Sequence, residues 1–339
     1  MENFVDDVNR TGVEKYLYDK SVLYVPKIYR GTYEVINEGI MDQLKNQVRE
    51  VYIAKQEENI VILAAQIKPD LVLVLLGDTF PTDQVKAIRE MGIKTAVWFT
   101  DDPYFSDVSC KIAPYYQYVF TQEISCVSQY QLLGIPHVHY LPLASNTKYF
   151  HYQHNNNQNI DVCFMGAAWN NRLSMFDEIA HSLAKKNVII VGYHWNRMKN
   201  YHLLSEKVRH TILSPEESAS LINQSKIVIN HHRSFDDSTF FSKNSNKLPG
   251  LSINPRTFEI SACSAFQLTD IRQELSRYFQ LGKEIETYSS PLELIEKIDY
   301  YLVHEDERKQ VAKKAYNITK NNHTYYHRIR TLLKVVFAE

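Results

Sequence analysis

The chain has 339 residues, more than one hydrophobic core serves at roughly 150 residues per domain, so two domains with a cleft between them are expected. With 44% hydrophobic, 23% charged and 12% aromatic residues it has a globular composition, which excludes the disordered and fibrous classes. Its 38 Lys plus Arg balance 39 Asp plus Glu, so no global field gathers nucleic acid or a membrane, and any charged partner must be recognised locally.

The first residues, Met1-Glu2-Asn3-Phe4-Val5-Asp6-Asp7, lack the basic-then-apolar order of a secretory signal. The longest apolar runs, such as 71–76, fall far short of the ~20 residues that span a bilayer, and the expected compartment is the cytoplasm. Short β-branched runs then alternate with longer amphipathic stretches, the pattern of β-α-β units in a parallel sheet, so the fold class is α/β. Strands are predicted at 22–25, 50–54, 71–75, 94–99, 118–121 and 138–141, with helices such as 37–47 and 82–91 between them.

Residues 149–159 are polar, without hydrophobic period and rich in turn formers, which sets a domain boundary between 155 and 156. The alternation then restarts: strand 161–165, helix 173–185, strand 188–192, helix 215–224, strand 227–230, helix 256–263 and strand 266–269. Ser214-Pro215-Glu216-Glu217 and Ser290-Pro291-Leu292-Glu293 each place Ser at the N-cap, Pro at the first helical position and Glu three after the cap. From Arg308 to Ala338 there are eight Lys or Arg and no Asp or Glu, on a segment whose apolar residues keep helical spacing. That pattern fits a terminal helix with a solvated basic face lying against the body, or peripheral contact with an anionic membrane or an acidic partner. Cys110, Cys126, Cys163 and Cys263 form no C-x-x-C pair, so no zinc site or redox dithiol is expected.

The most informative stretch runs from Asn254 to Asp270. Pro255 suits a first helical turn, and Arg256 and Glu259 lie three apart on one face. A helix N-terminus at the carboxyl edge of a parallel sheet favours anions, Arg adds forked hydrogen bonds to phosphate, and a carboxylate accepts from ribose hydroxyls. Spacing alone fits a surface i,i+3 ion pair equally well.

Asn254-Pro255-Arg256-Thr257-Phe258-Glu259-Ile260, then Ala262-Cys263, Leu268-Thr269-Asp270, Gly282-Lys283-Glu284 and His323-Thr324-Tyr325, closely resemble the C-terminal domain of the CgeB-type spore-maturation glycosyltransferases, over about residues 160–335. The resemblance implies a GT-B fold of two facing Rossmann-like domains, with a C-terminal helix packing back on the body. Residues 156–339 would hold the nucleotide-sugar and residues 1–155 the acceptor, a glycan, protein or small molecule. It implies metal-independent transfer from a UDP-sugar with no cofactor. It puts Glu259 at the donor ribose and Arg256 at the diphosphate, with Asn254 and Thr257 completing the motif. Two departures stand out: the first glutamate of the E-x7-E pattern is Leu251, and Ser264-Ala265 replaces the family's Gly-Gly.

Further donor-side candidates are Gly166 and Arg172, in a strand-to-helix loop that either brings backbone and Arg to a phosphate or is an ordinary turn, and Tyr193, beside Trp195, whose ring stacks on a base or seals the core. Asn230-His231-His232-Arg233 follows a strand directly, which brings its side chains to the cleft edge, where His231 or His232 approaches the sugar, with His232 the catalytic candidate, or serves a structural role. In the first half Asp101 and Asp102 end a buried strand before Pro103; paired carboxylates there supply a general base, or make an ordinary turn. The loop 26–33 is expected on the acceptor side. Neither G-x-G-x-x-G nor a P-loop occurs. The competing readings are an inactive nucleotide-sugar or glycan-binding protein, and a nucleic-acid-modifying sugar transferase using the basic C-terminal segment.

Overall fold

The computed structural model describes residues 17–28, 32–55, 58–154, 157–237 and 242–338. The acidic start, residues 29–31 of the acceptor-side loop and the boundary residues Asn155 and Asn156 lie outside the described residues.

The first half builds β1 (Tyr18–Val25), α1 (Thr32–Gln47), β2 (Val48–Ile53), α2 (Ile60–Ile67), β3 (Leu71–Leu75), α3 (Thr82–Glu90), β4 (Lys94–Phe99), α4 (Ser106–Ile112), β5 (Tyr118–Thr121), α5 (Ile124–Leu132) and β6 (His137–Tyr140). Its six strands are all parallel, in the order β2-β1-β3-β4-β5-β6. The sequence Leu-Val-Leu-Val-Leu of β3 has no polar face because helices cover both sides, and every residue in it is buried.

The second half builds β7 (Ile160–Met165), α6 (Asn170–Ala184), β8 (Val188–Val191), β9 (Val208–Arg209), α7 (Pro215–Asn223), β10 (Ser225–Asn230), α8 (Pro255–Ala262), β11 (Gln267–Asp270), β12 (Glu286–Tyr288), α9 (Pro291–Val303), α10 (Glu305–Asn322) and α11 (Tyr325–Phe337). Its strands are also all parallel, in the order β12-β11-β10-β7-β8-β9. Strand order reverses between β7 and β10, where a crevice opens at the carboxyl ends. Both serine caps form: Ser214 and Glu217 close a reciprocal capping box on α7, and Ser290 accepts from the Glu293 amide on α9. The short edge strands β9 and β12 carry too few residues to show a period, so the sequence does not announce them.

The terminal helix corrects the expected division. Tyr325, Ile329, Leu332, Leu333 and Val336 of α11 pack with Val22, Ile36, Ile40 and Leu44 in the core of the first domain, not the second. A Cβ on Gly39 of α1 would clash with the edge of the Tyr325 ring, so the close approach of these helices favours glycine there. The basic face also differs from expectation. Arg308 and Arg328 are buried, with Arg328 Nε donating to the Pro142 carbonyl at 2.8 Å and Arg308 Nη1 to Tyr301 at 3.2 Å. Lys309, Lys313, Lys314, Lys320, Arg330 and Lys334 remain exposed.

Candidate active site

A cavity of about 570 Å³ lies between the carboxyl ends of the two sheets, within the range that accommodates drug-sized ligands. Tyr33, Thr100, Asp101 and Tyr104 line it from the first domain; Gly166, Arg172, Tyr193, His231, His232, Asn254, Arg256 and Glu259 line it from the second.

Arg172, on the first turn of α6, spans the point where strand order reverses. Its Nε donates to the His231 carbonyl after β10 at 2.9 Å, and its Nη1 to the Ala167 carbonyl after β7, also at 2.9 Å. The guanidinium stacks on Phe164, 5.3 Å from the ring centroid. Among the described residues no carboxylate lies within ion-pair distance of it, and burial pulls its pKa down to about 10. A cation held this way, hydrogen-bonded to carbonyls at a cleft wall with Asp270 the carboxylate acting on it from a distance, favours an anionic ligand.

The neighbouring loops are seated by backbone contact. Gly192 has φ +144, and a Cβ there would lie 2.2 Å from the Gly166 carbonyl oxygen, so only glycine lets the loops after β7 and β8 touch. Trp195 is buried and donates its indole N–H to that same carbonyl at 3.0 Å, so it seals the core. Tyr193 stands 44% exposed at the cavity rim, outside the core that Trp195 seals.

Helix α8 enters the cavity wall N-terminus first. Asn254 caps it by accepting from the Thr257 amide at 3.1 Å, and its side chain also exchanges hydrogen bonds with Asn230. Thr257 is fully buried, bonded to Asn230 Nδ2 at 2.9 Å, so its side chain does not reach the cleft. Arg256 and Glu259 do, and they pair with each other at 2.8 Å. Burial raises the Glu259 pKa, with Arg256 opposing. Where the family pattern has glycine, Ser264 takes φ +53 in the turn between α8 and β11.

The two aspartates have separate environments. Asp101 lines the cavity and accepts from Tyr33 Oη at 2.7 Å. Burial raises its pKa, with Asp102 and Asp78 adding and the Tyr33 hydrogen bond opposing. Asp102 points into the first domain, where Ser109 Oγ (2.7 Å), Thr121 Oγ1 (2.7 Å) and Tyr130 Oη (2.6 Å) donate to it. It does not line the cavity, so the paired-carboxylate expectation reduces to Asp101 alone. His232 lines the wall with both ring nitrogens engaged, Nδ1 with Asp270 at 2.6 Å and Nε2 with the Asn254 amide at 3.1 Å.

A carboxylate absent from the sequence reading joins the domains. Glu123, the N-cap of α5, accepts from the amides of Ser125, Leu251 and Ser252, and Ile124 N–H donates to Ser252 Oγ at 3.0 Å. Asp107 accepts from Ser245 in the same way. The segment leading into α8 is therefore held by the first domain, and Leu251, in the place of the missing glutamate, offers its amide to that anchor.

A family model described as "Glycosyl transferase-like" matches residues 172–334. The chain is similar to the spore protein CgeB of Bacillus subtilis (strain 168), with 29% identity over 308 residues, 88% of this chain and 93% of the relative. Among solved structures it superposes on Anabaena HepE in complex with UDP and glucose (TM-score 0.67, 9% identity, 94% of this chain and 100% of that one). It also superposes on sucrose-phosphate synthase of Thermosynechococcus elongatus (TM-score 0.62, 8% identity, 93% and 98%). Two facing parallel α/β domains with a cleft at their carboxyl edges, together with these matches, define a glycosyltransferase of the GT-B class. Within that class its sequence is similar to that of the CgeB spore protein over most of both chains.

Proposed function

We propose that the protein transfers a sugar from a UDP-sugar to a hydroxyl-bearing acceptor, without a metal ion. The observation that carries this reading is Arg172, a buried cation at the point of strand reversal whose hydrogen bonds go to two carbonyls. The donor diphosphate would complete its charge, with Arg256 at the α8 N-terminus beside it, and the two guanidiniums would stabilise the departing UDP. Glu259 would accept from the ribose hydroxyls, and Tyr193 would stack on the base. Asp101, across the cleft, would take the proton of the attacking acceptor hydroxyl; its raised pKa suits that task. The solved UDP complex of the similarly folded HepE supports the choice of nucleotide.

Calorimetric titration with UDP tests the reading. Wild-type protein should bind, and Arg172→Ala should bind about 30-fold more weakly or worse, the scale of a lost charge-assisted pair. Equal affinity in the two proteins rejects the assignment. Release of labelled sugar from UDP-sugars, hydrolytic or by transfer, separates an enzyme from a binding protein on the same fold.

A further inference from the structure

His232 sits between two elements of the donor-side wall and is only 3% exposed. Asp270, at the end of β11, accepts from the His232 amide at 2.9 Å and pairs with its ring Nδ1 at 2.6 Å through the same oxygen, Oδ1. The other ring nitrogen, Nε2, faces the main-chain N–H of Asn254 at 3.1 Å. A main-chain N–H only donates, so Nε2 must hold a lone pair there, and the neutral ring carries its one proton on Nδ1, pointed at Asp270.

Asn254 is the residue on which α8 begins. Its side chain caps the helix and its amide rests on His232, so the imidazole and the Asn230 side chain together seat the first turn. Arg256 and Glu259 lie on that turn and the next. We infer that His232 is a positioning residue for the donor: neutral, it accepts the Asn254 amide and seats the α8 N-terminus; protonated, it turns a second N–H against that amide and unseats the turn, so donor affinity follows the protonation of His232.

The charged and titratable groups around the ring are Asp270 on β11, Arg272 following it (Nε 3.5 Å from the second Asp270 oxygen), Arg172 on α6 and the adjacent His231, whose Nδ1 meets Tyr288 Oη at 2.8 Å. Burial, Arg272 and Arg172 favour the neutral ring and Asp270 opposes them. Only the neutral ring accepts the Asn254 amide, and burial holds the folded pKa below the ordinary histidine value.

This inference rests on the donor reading of the cleft, and the experiment separates the two. UDP affinity is measured from pH 8 to pH 5 for wild type and His232→Gln, whose amide oxygen can accept from Asn254 but does not titrate. UDP's own phosphate protonates in this range and weakens both proteins equally, so the ratio of the two dissociation constants is the readout. The ratio, wild type over His232→Gln, should rise towards pH 5. In ligand-free protein, hydrogen exchange at the Asn254 amide should accelerate in His232→Ala and stay slow in His232→Gln. Parallel pH dependences with UDP bound, or unchanged exchange in His232→Ala, overturn the positioning role alone. No UDP binding by wild type at any pH overturns the donor reading and the ligand assigned here, while faster exchange in His232→Ala still supports the hold of His232 on α8.

Discussion

Arg256 Nη1 lies 2.8 Å from Glu259 Oε2 across one turn of α8, with both side chains in the wall of the interdomain cleft. The i,i+3 ion pair and the ligand-facing position coexist, because the turn that makes the pair is also the turn that enters the cleft. The pair fixes the direction of the guanidinium before a ligand arrives.

Glu259→Ala is expected to weaken UDP binding by about 10- to 100-fold, the loss of charged hydrogen bonds worth roughly 1.5–3 kcal/mol. Calorimetry with 2′,3′-dideoxy-UDP completes the cycle: wild type should weaken on losing the ribose hydroxyls, and Glu259→Ala should lose little more. The same penalty for both ligands would place Glu259 away from the ribose.

Asp101 and Asp102 should separate cleanly on substitution. Asp101→Asn is expected to reduce turnover about 10²- to 10⁴-fold with unchanged thermal stability, the effect of a lost general base. Asp102→Ala strands three buried hydroxyl donors and should destabilise the first domain by about 3 kcal/mol. Melting curves beside initial rates check both, and an active Asp101→Asn protein removes the base assignment.

The pH dependence of turnover should bear the mark of Tyr33. As the proposed base, Asp101 would act only when ionised, and its pKa is raised, so the rate should climb as pH rises through a value above the ordinary aspartate range. The Tyr33 hydroxyl lowers that pKa by donating to the carboxylate at 2.7 Å. Tyr33→Phe should therefore move the acidic limb of kcat to higher pH while the plateau persists. An unmoved limb would mean that another group titrates.

Glu123 predicts a link between domain packing and donor binding. Glu123→Ala leaves the amides of Ser125, Leu251 and Ser252 without their acceptor and should cost about 2–4 kcal/mol in denaturant unfolding. Because the freed segment runs directly into α8, UDP affinity should fall in the same variant. Lost stability with unchanged affinity would show the anchor to be purely structural.

Much of this protein is written locally. β-branched runs at 71–75 and 94–99 announce buried parallel strands because helices on both faces leave no polar side, and Ser214 and Ser290 announce helix starts because their partners lie three residues away. The run from Asn254 to Glu259 likewise marks the start of the cleft-lining helix α8 by cap, proline and i,i+3 spacing. Tertiary structure decided what remained. Adjacent aspartates point to different sides of a strand end, so only the fold could send Asp101 to the cleft and Asp102 to three hydroxyls. Only the fold could carry α11 back to the first sheet, turn Arg308 and Arg328 inward, and bring Glu123 to Leu251 and Asp270 to His232. Periodicity and capping encode interactions within a turn or two of chain, whereas these contacts join residues far apart in sequence, whose meeting depends on how whole sheets are ordered and faced.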